Sequence, residues 1–334
     1  MLVDGIQALL DAAETPPPVS KLQSKFLRDA AVQVSVVRFD QVDSALSGNK
    51  LYKLIPWCQR AVSEGYDTLV SFGGWHSNHL HALAAAGHRL GVKTVGYVRG
   101  YSHQPESPTI RDLKTLGMEL VFVSRGDYRL RHTPEYLSDV SRSWPSALII
   151  PEGGAGPKGV EGGRLMAGHV SRLIQSDVIQ APDIVMMPVG TATTFAGFVD
   201  RDPARGGSYV GVAAVDDVET MMSRVQMVLN AASLAGDSAA DQRYARQWHI
   251  NRDYICGGFG KMSPSLAAFI TRFESVYGVP LDPVYNAKAF YGLEQQISDG
   301  SIPAGTHVLM VHTGGLQGRR GMQDRIEKLT SASA

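Results

Sequence analysis

Ser47-Gly48-Asn49-Lys50-Leu51-Tyr52-Lys53-Leu54 places a lysine at the entry to an apolar run, straight after a Gly-Asn turn. Glycine and asparagine tolerate the backbone angles of tight turns and asparagine caps helices, so Lys50 is expected in the first turn of a helix over residues 51–64. The partial positive charge at that end disfavours an ammonium and lowers the cost of a neutral amine, which is a nucleophile. On these eight residues alone, a solvated lysine opening a surface helix is the simpler account. The surrounding chain has to decide.

Upstream, residues 32–39 alternate apolar and polar side chains and are rich in valine, which reads as a strand leading into the lysine region. Before it, Pro16-Pro17-Pro18 excludes regular helix from a lead-in segment over residues 15–24. Downstream, strand and helix alternate. Strands are expected over residues 68–72, 93–98, 119–123, 147–150, 184–188, 210–215 and 307–312. Helices are expected over 78–90, 109–116, 163–175, from Phe195, and over 218–235, 264–276 and 287–297. This alternation argues for parallel sheets wrapped by helices, and a helix-rich insertion between strands makes two sheets plausible. The fold class is α/β.

Composition narrows the function. Lysine plus arginine and aspartate plus glutamate balance at 32 each, so the chain carries no electrostatic footprint for nucleic acid or an anionic membrane. A small ligand is the expected partner. Two cysteines, Cys58 and Cys256, cannot build a disulfide framework and do not form a Cys-x-x-Cys pair. The first residues lack a basic region with a long apolar core, and no run reaches membrane-spanning length. A soluble, cytoplasmic protein is expected.

Three expected strand ends carry small or hydroxyl residues: Gly73 to Asn78, Gly190-Thr191-Ala192-Thr193-Thr194, and Thr313-Gly314-Gly315. In open parallel sheets, ligands bind beyond such carboxyl ends. The first two also lead into helix N-termini, where backbone N–H groups suit a phosphate or carboxylate. Neither the dinucleotide fingerprint nor the Walker loop is present, which disfavours a nicotinamide enzyme or a kinase. Each turn alone is better explained by tight strand-to-helix packing. Together with Lys50 they suggest a ligand that combines a phosphate with an aldehyde. His76, His79 and His81 do not make a metal centre, since His79 and His81 point to different faces of a helix and no acidic or thiol partner is near in sequence.

Gly48-Asn49-Lys50-Leu51-Tyr52-Lys53-Leu54, followed by Ser71-Phe72-Gly73-Gly74-Trp75-His76-Ser77-Asn78-His79, resembles the pyridoxal-phosphate enzymes grouped as D-cysteine desulfhydrase and 1-aminocyclopropane-1-carboxylate (ACC) deaminase. The resemblance continues through Pro151-Glu152-Gly153-Gly154, Gly190 to Thr194, Leu281-Asp282-Pro283-Val284-Tyr285-x-x-Lys288 and His312-Thr313-Gly314-Gly315, nearly the whole chain. It implies a two-domain tryptophan-synthase-β-like fold, with residues 1–54 and 166–334 forming a large cofactor-binding domain and 55–165 a small inserted one. It implies pyridoxal 5'-phosphate as cofactor, a small amino-acid substrate and a homodimer.

Carried over by position, the resemblance makes Lys50 the Schiff-base lysine. Lys53 and the turn Gly190, Thr191, Ala192, Thr193, Thr194 would bind the phosphate. Asn78 would flank the ring, Thr313 would meet its pyridine nitrogen, Ser77 would hold the substrate carboxylate or share in proton transfer, and Tyr285 would lie beside the substrate. Ser77 and Asn78 are also strong helix caps, and Tyr285 could equally be core. The sequence departs from the family pattern in three places: Asn286 where ACC deaminases carry glutamate, His76 where glutamine is common, and Tyr52 where arginine is common. The implied reaction is β-elimination, with D-cysteine giving pyruvate, hydrogen sulfide and ammonia. ACC deamination is the alternative, and a cofactor-binding protein without turnover a further one.

Overall fold

The computed structural model describes residues 2–234 and 247–331. Its strands are β1 (Val19–Leu22), β2 (Gln33–Arg38), β3 (Thr68–Gly74), β4 (Lys93–Arg99), β5 (Glu119–Val123), β6 (Ala147–Ile149), β7 (Ile184–Val189), β8 (Ser208–Ala213), β9 (Trp248–Asn251) and β10 (His307–His312). They form two sheets. The larger runs β1-β2-β10-β7-β8-β9 and the smaller β5-β4-β3-β6. Every pairing is parallel except β1 with β2. Helices cover both faces, so central strands need apolar side chains on each side. The first six residues of β3 and all of β10 are accordingly buried. The fold is α/β, as the alternation in the sequence implied.

The expected lead-in segment differs in part. The prolines do end the preceding helix, Leu2–Glu14, but Val19–Leu22 then joins β2 as an antiparallel edge strand. That N-terminal helix, the helix Pro134–Ser143 and β9 were not anticipated from the sequence. The helix expected over 163–175 begins earlier, at Pro157, because proline suits a first helical turn and its glycines serve packing. The helix expected over 218–235 is seen as Val218–Leu234, and residue 235 lies outside the described residues.

Two helices join the regions of the two sheets. Asn49–Glu64 follows the β2 region and leads to β3, and Pro157–Gln175 follows β6 and leads to β7. They pack closely because of two special residues. Pro56, inside the first helix, has no N–H for the Tyr52 carbonyl, and Gly162 of the second helix comes up against that carbonyl: a Cβ at Gly162 would lie 2.4 Å from it. The third helix of the site, Asn78–Leu90, is rich in alanine and almost wholly buried against β3 and β4. Small side chains let it sit close to them, as at Gly87, where a Cβ would meet the Thr94 methyl at 2.2 Å.

Strand order places the chemistry. β10 lies between β2 and β7, with Met310 opposite both Val36 and Met186. The carboxyl ends of β10 and β7 are therefore neighbours, and each opens into one of the small-residue turns singled out in the sequence.

Candidate active site

Lys50 enters the site because Gly48 can approach the end of β10. Gly48 has φ 74° and a Cβ on it would lie 2.1 Å from the Thr313 carbonyl oxygen, so only glycine fits. The Asn49 N–H donates to that same carbonyl at 3.1 Å. The helix Asn49–Glu64 is thus docked by its first residues onto Thr313. The Lys50 Nζ donates to Asn49 Oδ1 at 2.7 Å, and Asn49 Nδ2 donates to Thr194 Oγ1 at 3.0 Å. One short stretch therefore ties the lysine to both strand ends.

After β7, the chain turns through Ala192 in a left-handed conformation, φ 61°, and starts the helix Thr193–Arg201 with no side-chain cap. An uncapped first turn leaves N–H donors without intrahelical partners. Around them stand the hydroxyls of Thr191 and Thr193, 2.9 Å apart, and Lys53 Nζ, which donates to Thr191 Oγ1 at 3.2 Å. Gly190 keeps space for Tyr285, whose ring would lie 3.1 Å from a Cβ there.

Thr313 ends β10. Its N–H donates to Asn286 Oδ1 at 3.0 Å, and its hydroxyl makes no hydrogen bond to a described residue. The fully buried Asn286 also donates through Nδ2 to the Gly314 carbonyl at 2.7 Å and to Asp282 Oδ1 at 2.6 Å. Its amide is spent on holding the loop and does not line the cleft. From the start of the helix that follows β3, Asn78 also lines the site, its Oδ1 accepting from Gln317 Nε2 at 2.8 Å.

These groups converge on one open cleft of about 600 Å³. Of the residues singled out from sequence, Lys50, Lys53, Asn78, Gly190 to Thr194, Tyr285 and Thr313 line it. Ser77 does not: it caps the helix Asn78–Leu90, its Oγ accepting from the Leu80 N–H at 3.1 Å. Sequence reading missed Asn49, which the lysine motif contained, and the partners of the Thr313 loop, which no local signal marks.

Charge in the cleft is one-sided, since none of its lining residues is acidic. Burial brings Lys50 down to about 8, opposed by the nearby Asp282. Burial, then the positive charges of Lys50 and Arg224, hold Lys53 well below an ordinary lysine. The Tyr285 phenol is pushed up, mainly by burial and then by Asp282 and Glu152, and stays protonated. Behind the lysines, Ser71 donates its single hydroxyl proton to the Ile150 carbonyl at 2.7 Å, so it accepts from His79 Nε2 at 2.8 Å. His81 instead faces Asp112, and among the described residues no group of three or more His, Cys, Asp or Glu side chains is placed to hold a metal.

The residues present fit a phosphate-bearing aldehyde. A dianion at the uncapped helix end would meet free N–H groups, threonine hydroxyls and Lys53, and would supply the negative charge the cleft lacks. Lys50, whose proton burial makes easier to lose, lines the same cleft, and a neutral amine there can attack an aldehyde.

Comparison with known proteins agrees with that chemistry. The family described as "Pyridoxal-phosphate dependent enzyme" matches residues 44–314. A 1-aminocyclopropane-1-carboxylate deaminase of Methylobacterium nodulans is 28% identical over 288 residues, covering 83% of this chain and 85% of its own. A D-cysteine desulfhydrase of Serratia proteamaculans is 26% identical over 314 residues, covering 92% and 93%. A crystal structure described as an ACC deaminase homologue superposes with a TM-score of 0.79 at 26% identity, covering 97% of this chain and 99% of its own.

Proposed function

The chain belongs to the pyridoxal-phosphate dependent enzyme family, and from that premise we propose that it catalyses β-elimination on a small amino acid, with D-cysteine giving pyruvate, hydrogen sulfide and ammonia. The observation that carries this reading is that no acidic residue lines the cleft, while Lys50 there has a pKa of about 8. The available base is then an amine suited to taking a Cα proton near neutral pH. D-cysteine has a Cα proton to give, whereas ACC, whose Cα is a ring carbon bearing four substituents, has none.

Bound in the cleft, the cofactor would supply an aldehyde that captures amines and a conjugated ring that draws electron density from Cα. Lys50 would hold the aldehyde carbon. Thr191, Thr193, Thr194, Lys53 and the first N–H groups of the helix Thr193–Arg201 would hold the phosphate, and Asn78 and Thr313 the ring. The Lys50 amine, when it is not holding the cofactor, would be the base that takes the Cα proton of the substrate. Tyr285, kept protonated by burial, could donate a hydrogen bond to the departing β-group. By capping the helix Asn78–Leu90, Ser77 would position Asn78, which lines the cleft.

We assign residues 1–54 with 166–334 to a large unit and 55–165 to a small one, so that the cleft opens between the two sheets. Under this assignment both boundaries fall inside the helices Asn49–Glu64 and Pro157–Gln175. ACC ring opening is the second reading, favoured by the name of the Methylobacterium relative. The purified, cofactor-loaded protein is to be incubated with D-cysteine, L-cysteine, β-chloro-D-alanine and ACC, and keto acid measured. Pyruvate released from D-cysteine or β-chloro-D-alanine well ahead of 2-oxobutanoate from ACC supports the proposal. Turnover of ACC alone sinks it, and cofactor binding without any keto acid points to a protein without turnover.

A further inference from the structure

A second open groove, of about 880 Å³, lies between the N-terminal helix Leu2–Glu14 and the helix Pro157–Gln175, away from the residues of the cleft. Its floor is Tyr52, a position where the sequence departs from the family it resembles. Tyr52 is fully buried, and its hydroxyl has no hydrogen-bond partner. The ring is fixed edge-on by Phe39 at 5.4 Å and His169 at 5.6 Å, and His169 is itself engaged with the Ala13 carbonyl at 2.7 Å. A buried, unpaired hydroxyl is costly unless something meets it.

The rim is cationic. Arg164, Arg172 and Arg201 line the groove together with one acid, Glu14. Arg164 is engaged with Asp200 at 2.6 Å, whereas the guanidinium groups of Arg172 and Arg201 make no hydrogen bond or ion pair with a described residue. Burial, offset in part by the Arg172 charge, keeps the Tyr52 phenol protonated, so it can only donate to an anion. Leu10, Ile55 and the half-exposed Leu165 complete the lining with apolar surface.

We propose that this groove is a second binding site, for a small organic monocarboxylate with a short apolar body, its carboxylate held by Arg172, Arg201 and the hydroxyl of Tyr52. Glu14 at the rim selects against more highly charged anions by like-charge repulsion. Because Tyr52 lies between Lys50 and Lys53 in sequence, on the helix that carries both, a ligand in the groove bears on that helix from its other side. The binding itself does not depend on which amino acid the cleft processes.

Isothermal titration of isobutyrate into the cofactor-loaded protein is the test, with inorganic phosphate and isobutylamine as comparison probes. Saturable isobutyrate binding is expected, with phosphate weaker and isobutylamine silent. Tyr52→Phe should weaken it roughly tenfold, the share of one hydrogen bond to a charged group. Arg172→Gln and Arg201→Gln, both surface changes outside the cleft, should weaken it by a similar factor each. Absence of saturable binding, or binding that both arginine variants leave unchanged, overturns the proposal. So does a protein that refuses isobutyrate until Arg172→Gln breaks up a dimer in sedimentation, since a second copy would then be what covers the groove.

Discussion

Asn286 holds Thr313 in place from both sides, accepting its N–H at 3.0 Å while donating to the next carbonyl, that of Gly314, at 2.7 Å. Only an amide does both. Asn286→Asp would replace the donor with an oxygen facing the Gly314 carbonyl and Asp282, so the unfolding free energy should fall by about 3 kcal/mol, the cost of an unpaired buried charge beside another. Urea denaturation measures it. An unchanged midpoint would show that the amide does not hold the loop.

Borohydride reduction of the cofactor-loaded protein should fix the ring to Lys50. Lys53 is engaged with Thr191, and Lys288 donates to the Ala214 and Gly258 carbonyls outside the cleft. Peptide mapping should therefore find a single labelled lysine, and Lys50→Ala should abolish labelling. A label on Lys53 or Lys288 would remove Lys50 from its assigned role.

Lys50 has its pKa lowered from 10.5 to about 8 by burial. Attack on an aldehyde needs the neutral amine, so cofactor loading should speed up about tenfold between pH 7 and pH 9 and level off above. The unfolded chain keeps this proton up to the ordinary lysine range, so between about 8 and 10.5 it binds more protons than the folded one. Stability from this group should therefore rise with pH across that window and be absent below it. Stopped-flow absorbance on addition of pyridoxal phosphate reads the rate, and a midpoint near that of free lysine would refute the assignment.

Gly48→Ala would drive a methyl into the Thr313 carbonyl and force a positive φ on alanine. A loss of about 2 kcal/mol or more is expected, together with poor cofactor retention, because the same contact sets both the lysine and the strand end. Thermal unfolding and dialysis against buffer check the two effects. Gly65→Ala, at a comparable φ with open space around it, is the control for backbone strain alone.

Thr313→Asp tests the ring contact. A hydroxyl can donate to a pyridine nitrogen and leave it unprotonated, whereas a carboxylate would hold a proton there. The variant, given amino acids without a β-leaving group, should show a long-wavelength absorbance band that the parent lacks. Spectra and elimination rate both unchanged would mean that Thr313 does not reach the ring.

Much of this was legible in the chain. The Gly-Asn-Lys entry, the turns after Phe72 and Val189 and the Thr-Gly-Gly after β10 are local patterns, and local patterns report backbone conformation and helix ends. The N-terminal helix went unread because Gly5 interrupts it and the triple proline behind it dominates. Gly5 is needed there by a distant neighbour, since a Cβ on it would meet the Arg89 carbonyl at 2.6 Å.

Residue types and their order were enough to determine an α/β chain with a lysine at a helix entry and a small-residue turn opening a helix suited to a phosphate. Only the tertiary structure decided that Asn286 serves the backbone of the Thr313 loop, that Ser77 caps a helix, and that Tyr52 floors a separate cationic groove. The reason is physical. Helix entry and turn geometry depend on a few adjacent residues, whereas the partner of a side-chain amide or hydroxyl depends on which strands the sheet order makes neighbours, and residues as far apart as Gly48 and Thr313 meet only after β10 has inserted between β2 and β7.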